Sequence, residues 1–144
     1  MGKTVYSKDK LLALSMQRFA AVSSGDLDAT MAVLVDEPVF ELHPAGLQLS
    51  GHADVLQYYK QFLASAGHAI SGDIIDTFVS DSAVCLELRM THGADDDAPE
   101  YFRMIAVQPV ENGRFTGERL YGDERLFRLM FPNPVWSLFQ PLEI

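Results

Sequence analysis

The chain has 144 residues, a formal net charge of −9 at neutral pH and a single cysteine. This length suits one domain over residues 1–144, large enough to bury an apolar core. The acidic balance, with scattered Lys and Arg, argues against binding to nucleic acid phosphates. No apolar run is long enough for a membrane span or a signal peptide. We therefore expect a soluble, cytoplasmic protein with no membrane partner.

The N-terminal third carries the pattern of two helices. Ser7 is a typical N-cap, and apolar side chains recur at helical spacing through residues 11–22. Asp26 is a typical cap for a second helix over residues 27–35, which Pro38 should end. Two helices are therefore expected before any strand.

A small hairpin and a third helix come next. The segment "VFELHPAGLQLSG", residues 39–51, alternates like a strand and turns at a proline and a glycine. The following segment, "GHADVLQYYKQFLAS", predicts an amphipathic helix. Its apolar face would carry Val55, Tyr58, Tyr59, Phe62 and Leu63.

The second half of the chain predicts strands. Residues 70–79 alternate weakly between apolar and polar positions, and residues 83–92 alternate cleanly. Residues 101–110 are apolar on both faces, which is typical of a strand covered on both sides. A Glu-Asn-Gly turn then leads into a further strand over residues 114–122.

The C-terminal end predicts one more short helix and an apolar tail. Asp123 is a typical N-cap for a helix over residues 124–130. We expect the apolar tail, residues 131–144, to dock on the body or on a partner. Helices first, then a curved and mostly antiparallel sheet, indicate an α+β fold with helices on one face of the sheet.

Two long segments, "SGDLDATMAVLVDEPVFELHPAG" and "VENGRFTGERLYGDERL", resemble the NTF2-like superfamily in their order and separation. The likeness is to the SnoaL-like and ketosteroid-isomerase-like branch. It implies a cone-shaped fold with a deep apolar pocket for a small hydrophobic molecule, no cofactor, and a homodimer formed through the outer sheet face. Members of this superfamily include isomerases, epoxide hydrolases, cyclases, dehydratases and non-enzymes, so the fold leaves function open.

The resemblance also implies site residues. His43 stands where ketosteroid isomerase has its catalytic base, and Tyr59 matches a supporting tyrosine. Phe19 and Met104 occupy the positions of the two oxyanion donors, and Leu120 that of the aspartate of the hydrolases and cyclases. We therefore assign catalysis to His43 and Tyr59. The residues assigned to ligand binding are Phe19, Tyr58, Leu86, Leu88, Phe102, Met104, Glu118 and Leu120.

Alternatives stay open for the chemistry. His43 is either a general base, a common role of histidine in catalysis, or a turn residue that bonds a backbone carbonyl. Asp123 is expected to be a helix cap rather than a catalytic acid. The four histidines lack the spacing of a zinc site, so no metal is expected.

Two functions are consistent with this pattern. The first is a cofactor-independent isomerase, cyclase or dehydratase that uses His43 as its base. The second is a non-catalytic module that binds a ligand or dimerises through the same fold.

Overall fold

The computed structural model describes residues 5–143 and has an α+β architecture. The helices are α1 (Lys8–Ser23), α2 (Leu27–Ala32), α3 (His52–Gln61), α4 (Gly67–Ala69) and α5 (Glu124–Met130). The strands are β1 (Leu34–His43), β2 (Leu47–Ser50), β3 (Ile70–Val79), β4 (Ala83–His92), β5 (Glu100–Glu111), β6 (Arg114–Tyr121) and β7 (Gln140–Pro141). A π-helical turn (Phe62–Ala66) joins α3 to α4, and a 3₁₀ turn (Val135–Leu138) precedes β7. No helix of the described chain is long and apolar enough to cross a membrane.

The seven strands form one sheet in the order β3-β4-β5-β6-β1-β2-β7. Every neighbouring pair is antiparallel except β1 and β6, which run parallel. This parallel pair joins the N-terminal and C-terminal halves of the chain in the middle of the sheet. The α+β fold with a mostly antiparallel sheet is therefore confirmed.

Three helices begin at the predicted caps. The side chains of Ser7, Asp26 and Asp123 each accept a hydrogen bond from a backbone N–H in the first turn, at 3.1, 3.0 and 2.7 Å respectively. These bonds satisfy donors that the helix itself leaves without partners. Asp123 is thus a cap for α5, as its position at the junction of strand and helix predicts.

The second helix is shorter than predicted. It ends at Ala32 rather than at residue 35, and the chain enters β1 at Leu34. Leu34 is buried and aligns with Phe115 of the parallel strand β6. The apolar run before Pro38 therefore serves as a core strand, because pairing with β6 overrides its helical spacing.

The core lies between the helices and the concave face of the sheet. Along β4, Val84, Leu86, Leu88 and Met90 are buried, while Cys85, Glu87 and Arg89 are more exposed, as the alternation predicts. Thr91 departs from this pattern and is also buried. The C-terminal tail packs at the edge of the sheet that is opposite to β3, where β7 pairs with β2. Its buried side chains are Phe131, Val135 and Phe139, and Trp136 and Leu138 are partly buried against them.

A β-bulge at Gly117 sets the direction of the side chains that follow it. Gly117 has a φ of 138°, and β6 has one residue more than β5 between the pairs Val110–Phe115 and Val107–Arg119. Phe115 and Glu118 consequently both face the interior, although they are three residues apart. An added Cβ at Gly117 would overlap the carbonyl oxygen of Val39 and lie 2.6 Å from its carbonyl carbon.

We expect Gly117→Ala to destabilise the protein severely, because the new methyl group meets backbone that cannot move aside. Gly113→Ala is the matched control, since Gly113 also has a positive φ of 78° but has open space around it. The control should lose about 1 kcal/mol from backbone strain alone. Gly117→Ala should lose at least about 2 kcal/mol more in free energy of unfolding. Equal losses in urea denaturation would contradict the close approach at the bulge.

Candidate functional site

A cavity of about 110 Å³ lies between α1, α3 and the concave face of the sheet. We call it the inner cavity. Its apolar wall consists of Phe19, Val22, Phe40, Phe62, Leu86, Leu88, Met90, Met104, Leu120 and Met130. Its polar wall consists of Arg18, Tyr58, Tyr59, Gln108 and Glu118.

A second pocket of about 440 Å³ adjoins the inner cavity. We call it the outer pocket. It is lined by the end of α1, the turn after α3 and the first residues of β3. The two spaces share a set of wall residues that we call the neck, which consists of Phe19, Val22, Phe62, Leu88 and Met90. The neck is wholly apolar, so polar groups lie only beyond it on either side.

Arg18 is the centre of the polar wall. It lies seven residues after Leu11 on α1, which places both side chains on the inward face of that helix. Its side chain is only 4 % exposed, and its Nη2 donates to the hydroxyl of Tyr59 and to Oε1 of Glu118. These contacts join α1, α3 and β6 through one guanidinium group.

Aromatic rings surround the same guanidinium. The centroids of Phe40, Tyr59 and Phe115 lie 5.9, 5.5 and 6.0 Å from Cζ of Arg18. At such distances the rings attract a cation through their quadrupoles. Arg18 is therefore held by an ion pair, a hydrogen bond and aromatic contacts together.

The polar contacts continue away from Arg18 into the core. Oε2 of Glu118 accepts from Nε2 of Gln108 at 3.3 Å, and Oε1 of Gln108 accepts from Oγ of Ser15 at 2.6 Å. Ser15 and Gln108 are buried. The chain of bonds thus runs from α1 across β5 and β6 and returns to α1 at Arg18. Such a buried network fixes the orientation of each of its members.

Burial and charge together set the protonation states. Burial is the largest single effect and opposes the charge of Arg18, but Glu118 and Tyr59 together outweigh it and raise the pKa of Arg18 above its usual range. Burial also raises the pKa of Tyr59 to about 12, against the opposing effect of Arg18. Burial likewise raises the pKa of Tyr58 well above its usual value. Both tyrosines are therefore neutral phenols near neutral pH.

Two hydrogen-bond donors at this site have no acceptor within residues 5–143. Nη1 of Arg18 is buried and finds no partner within residues 5–143. The hydroxyl oxygen of Tyr59 accepts from Arg18, because arginine can only donate, so the O–H proton of Tyr59 remains available. Leaving a buried donor unpaired costs about 1 to 3 kcal/mol, and more when the group is charged. The inner cavity thus has donors suited to an acceptor atom from outside the protein.

His43 does not line this cavity. Phe40 and Leu42 of β1 point into the core, so alternation turns His43 to the outer face of the sheet. There its Nε2 lies 2.9 Å from Oε1 of Glu41, and its ring stacks on Tyr121 with centroids 4.8 Å apart. His43, which was assigned to catalysis with Tyr59, therefore lies outside the inner cavity, and its partner is a carboxylate rather than a backbone carbonyl.

Most of the other predicted site residues come together around the inner cavity. Phe102 does not line either space and packs, partly buried, against the core. The predicted residues found on the wall of the inner cavity are Phe19, Tyr58, Tyr59, Leu86, Leu88, Met104, Glu118 and Leu120.

Sequence reasoning missed Arg18 and Gln108. The helical spacing from Leu11 indicates the inward position of Arg18, and alternation beyond Ala106 indicates that of Gln108. Within the described part of the chain, no group of three or more His, Cys, Asp or Glu side chains is arranged to hold a metal ion.

Comparison with known proteins places this geometry among related folds. An NTF2-like protein of unknown function from Cytophaga hutchinsonii superposes with a TM-score of 0.65 at 15 % identity, over 88 % of this chain and 98 % of that one. A candidate ketosteroid isomerase from Kribbella flavida gives 0.68 at 14 % identity, over 81 % and 79 %. An epoxide hydrolase of the LEH-like type from M. tuberculosis gives 0.66 at 18 % identity, over 91 % and 96 %. At these identities the likeness concerns the fold alone.

The sequence itself carries the family assignment. No curated protein matches it. Residues 17–118, which run from the middle of α1 to the Glu118 carboxylate, match the model of the SnoaL-like domain. The chain therefore belongs to the SnoaL-like family of the NTF2-like superfamily.

Proposed function

We propose that the inner cavity and the outer pocket together bind a small hydrophobic molecule that carries a hydrogen-bond-accepting oxygen. The observation that carries this proposal is the buried Nη1 of Arg18, which has no acceptor in residues 5–143. A ligand oxygen at this position would accept from Arg18 and from the free O–H of Tyr59. Ligand sites of this kind pair a mostly apolar wall with a few convergent polar groups.

The volumes indicate how such a molecule would lie. The inner cavity, at about 110 Å³, is smaller than a cavity of roughly 150 Å³ that holds benzene. It has room for a polar head group and a few carbons. The rest of the ligand would cross the neck and occupy the outer pocket, whose volume is about 440 Å³. An elongated molecule with its oxygen at one end fits this arrangement.

The contacts favour binding over turnover. Each oxygen of the Glu118 carboxylate already accepts a hydrogen bond, from Arg18 and from Gln108. His43, the base expected from the resemblance, lies on the outer face beside Glu41 and Tyr121. General base catalysis requires a free base within hydrogen-bond reach of the substrate proton. We therefore propose ligand capture, the non-catalytic alternative, as the function of this site.

Binding of 2-octanone, a neutral ketone with an apolar chain, tests the site. We expect Arg18→Lys to weaken this binding about tenfold or more in calorimetric titration. Lysine keeps the positive charge beside Glu118 but lacks the second donor arm, and a hydrogen bond from a charged donor is worth about 1.5 to 3 kcal/mol. Arg103→Lys is the matched control, because Arg103 also pairs with a carboxylate, Glu87, but lies on the outer face.

The control variant should bind the ketone like the unmodified protein. The proposal fails if the unmodified protein binds neither 2-octanone nor octanoate, the carboxylate with a chain of the same length. It also fails if Arg18→Lys binds as tightly as the control while both melt at the same temperature.

We also propose that two copies of this chain associate through the outer face of the sheet. Several large apolar side chains are exposed there on the central strands. Tyr101 and Ile105 of β5 are 62 % and 42 % exposed, and Tyr121 of β6 is 41 % exposed. Ile105 and Tyr121 are aligned neighbours, so the apolar surface is continuous across two strands. Contiguous exposed patches of this kind are typical of interaction sites.

The charges on this face favour a second copy as the occupant. In one row across the sheet, Asp76 and Glu87 lie on one side of Ile105, and Tyr121 lies on the other. Arg119 is on the same strand as Tyr121 and on the same face. Two sheets can stack face to face about a two-fold axis that runs parallel to β5. The side of one sheet that carries the carboxylates then lies over the side of the other sheet that carries Tyr121 and Arg119. The face is therefore complementary to itself.

Ile105→Lys should convert a dimer into a monomer, because it places a charge at the centre of the apolar surface. We expect light scattering to give a mass about twice that of the 16.0 kDa chain for the unmodified protein and 16.0 kDa for the variant. Val5→Lys is the control, since Val5 is also exposed but lies before α1. A mass of 16.0 kDa for the unmodified protein at all concentrations would contradict this association.

A further inference from the structure

We infer that the inner cavity selects uncharged ligands, such as ketones, esters or lactones, and excludes carboxylates. This inference rests on the proposed function, because it specifies the charge of the molecule that the site would bind. An arginine in an apolar cavity would ordinarily favour an anion. The charge balance of this particular wall leads to the opposite preference.

Arg18 and Glu118 are the two charged side chains on the wall of the inner cavity. They form an ion pair through Nη2, so the wall carries one positive and one negative charge in direct contact. The net charge offered to a ligand is therefore close to zero. The spare donors at Arg18 Nη1 and the Tyr59 hydroxyl still require an acceptor, but they need no counter-ion.

A carboxylate at this position would be unfavourable for two reasons. It would lose its hydration on crossing the apolar neck, without a free positive charge to compensate for that loss. It would also share one guanidinium group with the Glu118 carboxylate, and two like charges so close together disfavour each other. A ketone oxygen accepts the same two hydrogen bonds and meets neither penalty.

The outer pocket adds no charge that would reverse this preference. Its one ionisable wall residue is His68, which is exposed to solvent. The other polar side chains on that wall are the neutral hydroxyls of Ser23, Ser24 and Ser71. The apolar part of the ligand would therefore lie in a neutral space, and selection by charge would occur at Arg18 and Glu118.

The test compares 2-octanone with octanoate, which have chains of the same length, near neutral pH. The unmodified protein should bind the ketone at least about tenfold more tightly than the carboxylate in calorimetric titration. Glu118→Gln removes the compensating charge but keeps an oxygen that can accept from Arg18. In this variant the preference should shift toward octanoate by about tenfold or more. Glu87→Gln, which removes the outer-face carboxylate paired with Arg103, should leave the preference unchanged.

The outcomes separate this inference from the function on which it rests. Tighter binding of octanoate by the unmodified protein, or an unchanged preference in Glu118→Gln, would overturn the charge selection while leaving ligand binding in place. Binding of neither compound would reject the proposed function and this inference together.

A second measurement applies if Glu118→Gln does not fold. Octanoate should bind the unmodified protein more tightly as the pH falls toward the pKa of the fatty acid, because the protonated acid is a neutral acceptor. The measurement stays within the pH range in which the melting temperature is constant. Octanoate binding that does not strengthen on acidification would overturn the inference.

Discussion

The structure depends on a positive charge held inside an apolar core. A buried arginine is costly unless its charge is compensated and its donors are bonded. Here the compensation comes from Glu118, which lies 100 residues further along the chain and on a different element. Helix α1, helix α3 and strand β6 must therefore meet at one point, and Tyr59 and Gln108 complete the bonding there. The same requirement that locks these elements together also leaves two donors without an acceptor in residues 5–143, on side chains that line the cavity.

The strands are arranged to bring this carboxylate inward. The parallel pairing of β1 with β6 aligns Phe40 with Glu118, so an aromatic ring and a charge share one face. Regular alternation from Phe115 would have turned residue 118 outward. The bulge at Gly117 removes that conflict and lets Phe115 remain in the core as well. A backbone irregularity thus makes one strand serve both the apolar core and the polar wall.

Local patterns predicted much of this molecule, and contacts distant in sequence account for the rest. Helix caps such as Asp123 and the alternation of β4 depend on neighbouring residues, so they can be read directly from the sequence. Glu118 was assigned to ligand binding through the family resemblance, and it lines the inner cavity. His43 was misplaced because the family position was given more weight than the inward pattern of Phe40 and Leu42. Helical spacing from Leu11 turns Arg18 inward, but an arginine is buried only with a partner, and no local pattern reveals Glu118 as that partner.

The two ends of the sheet bear on how the protein behaves at high concentration. An open strand edge offers unpaired backbone groups to any other strand, which promotes aggregation. The C-terminal tail covers one end with β7, a two-residue strand that contains Pro141. At the other end, β3 carries Asp73 and Asp76, and its pairing with β4 is interrupted at Ile75. Short length, proline, charge and irregular register all hinder edge-to-edge addition of strands. The proposed association through the convex outer face would therefore not lead to open-ended growth of the sheet.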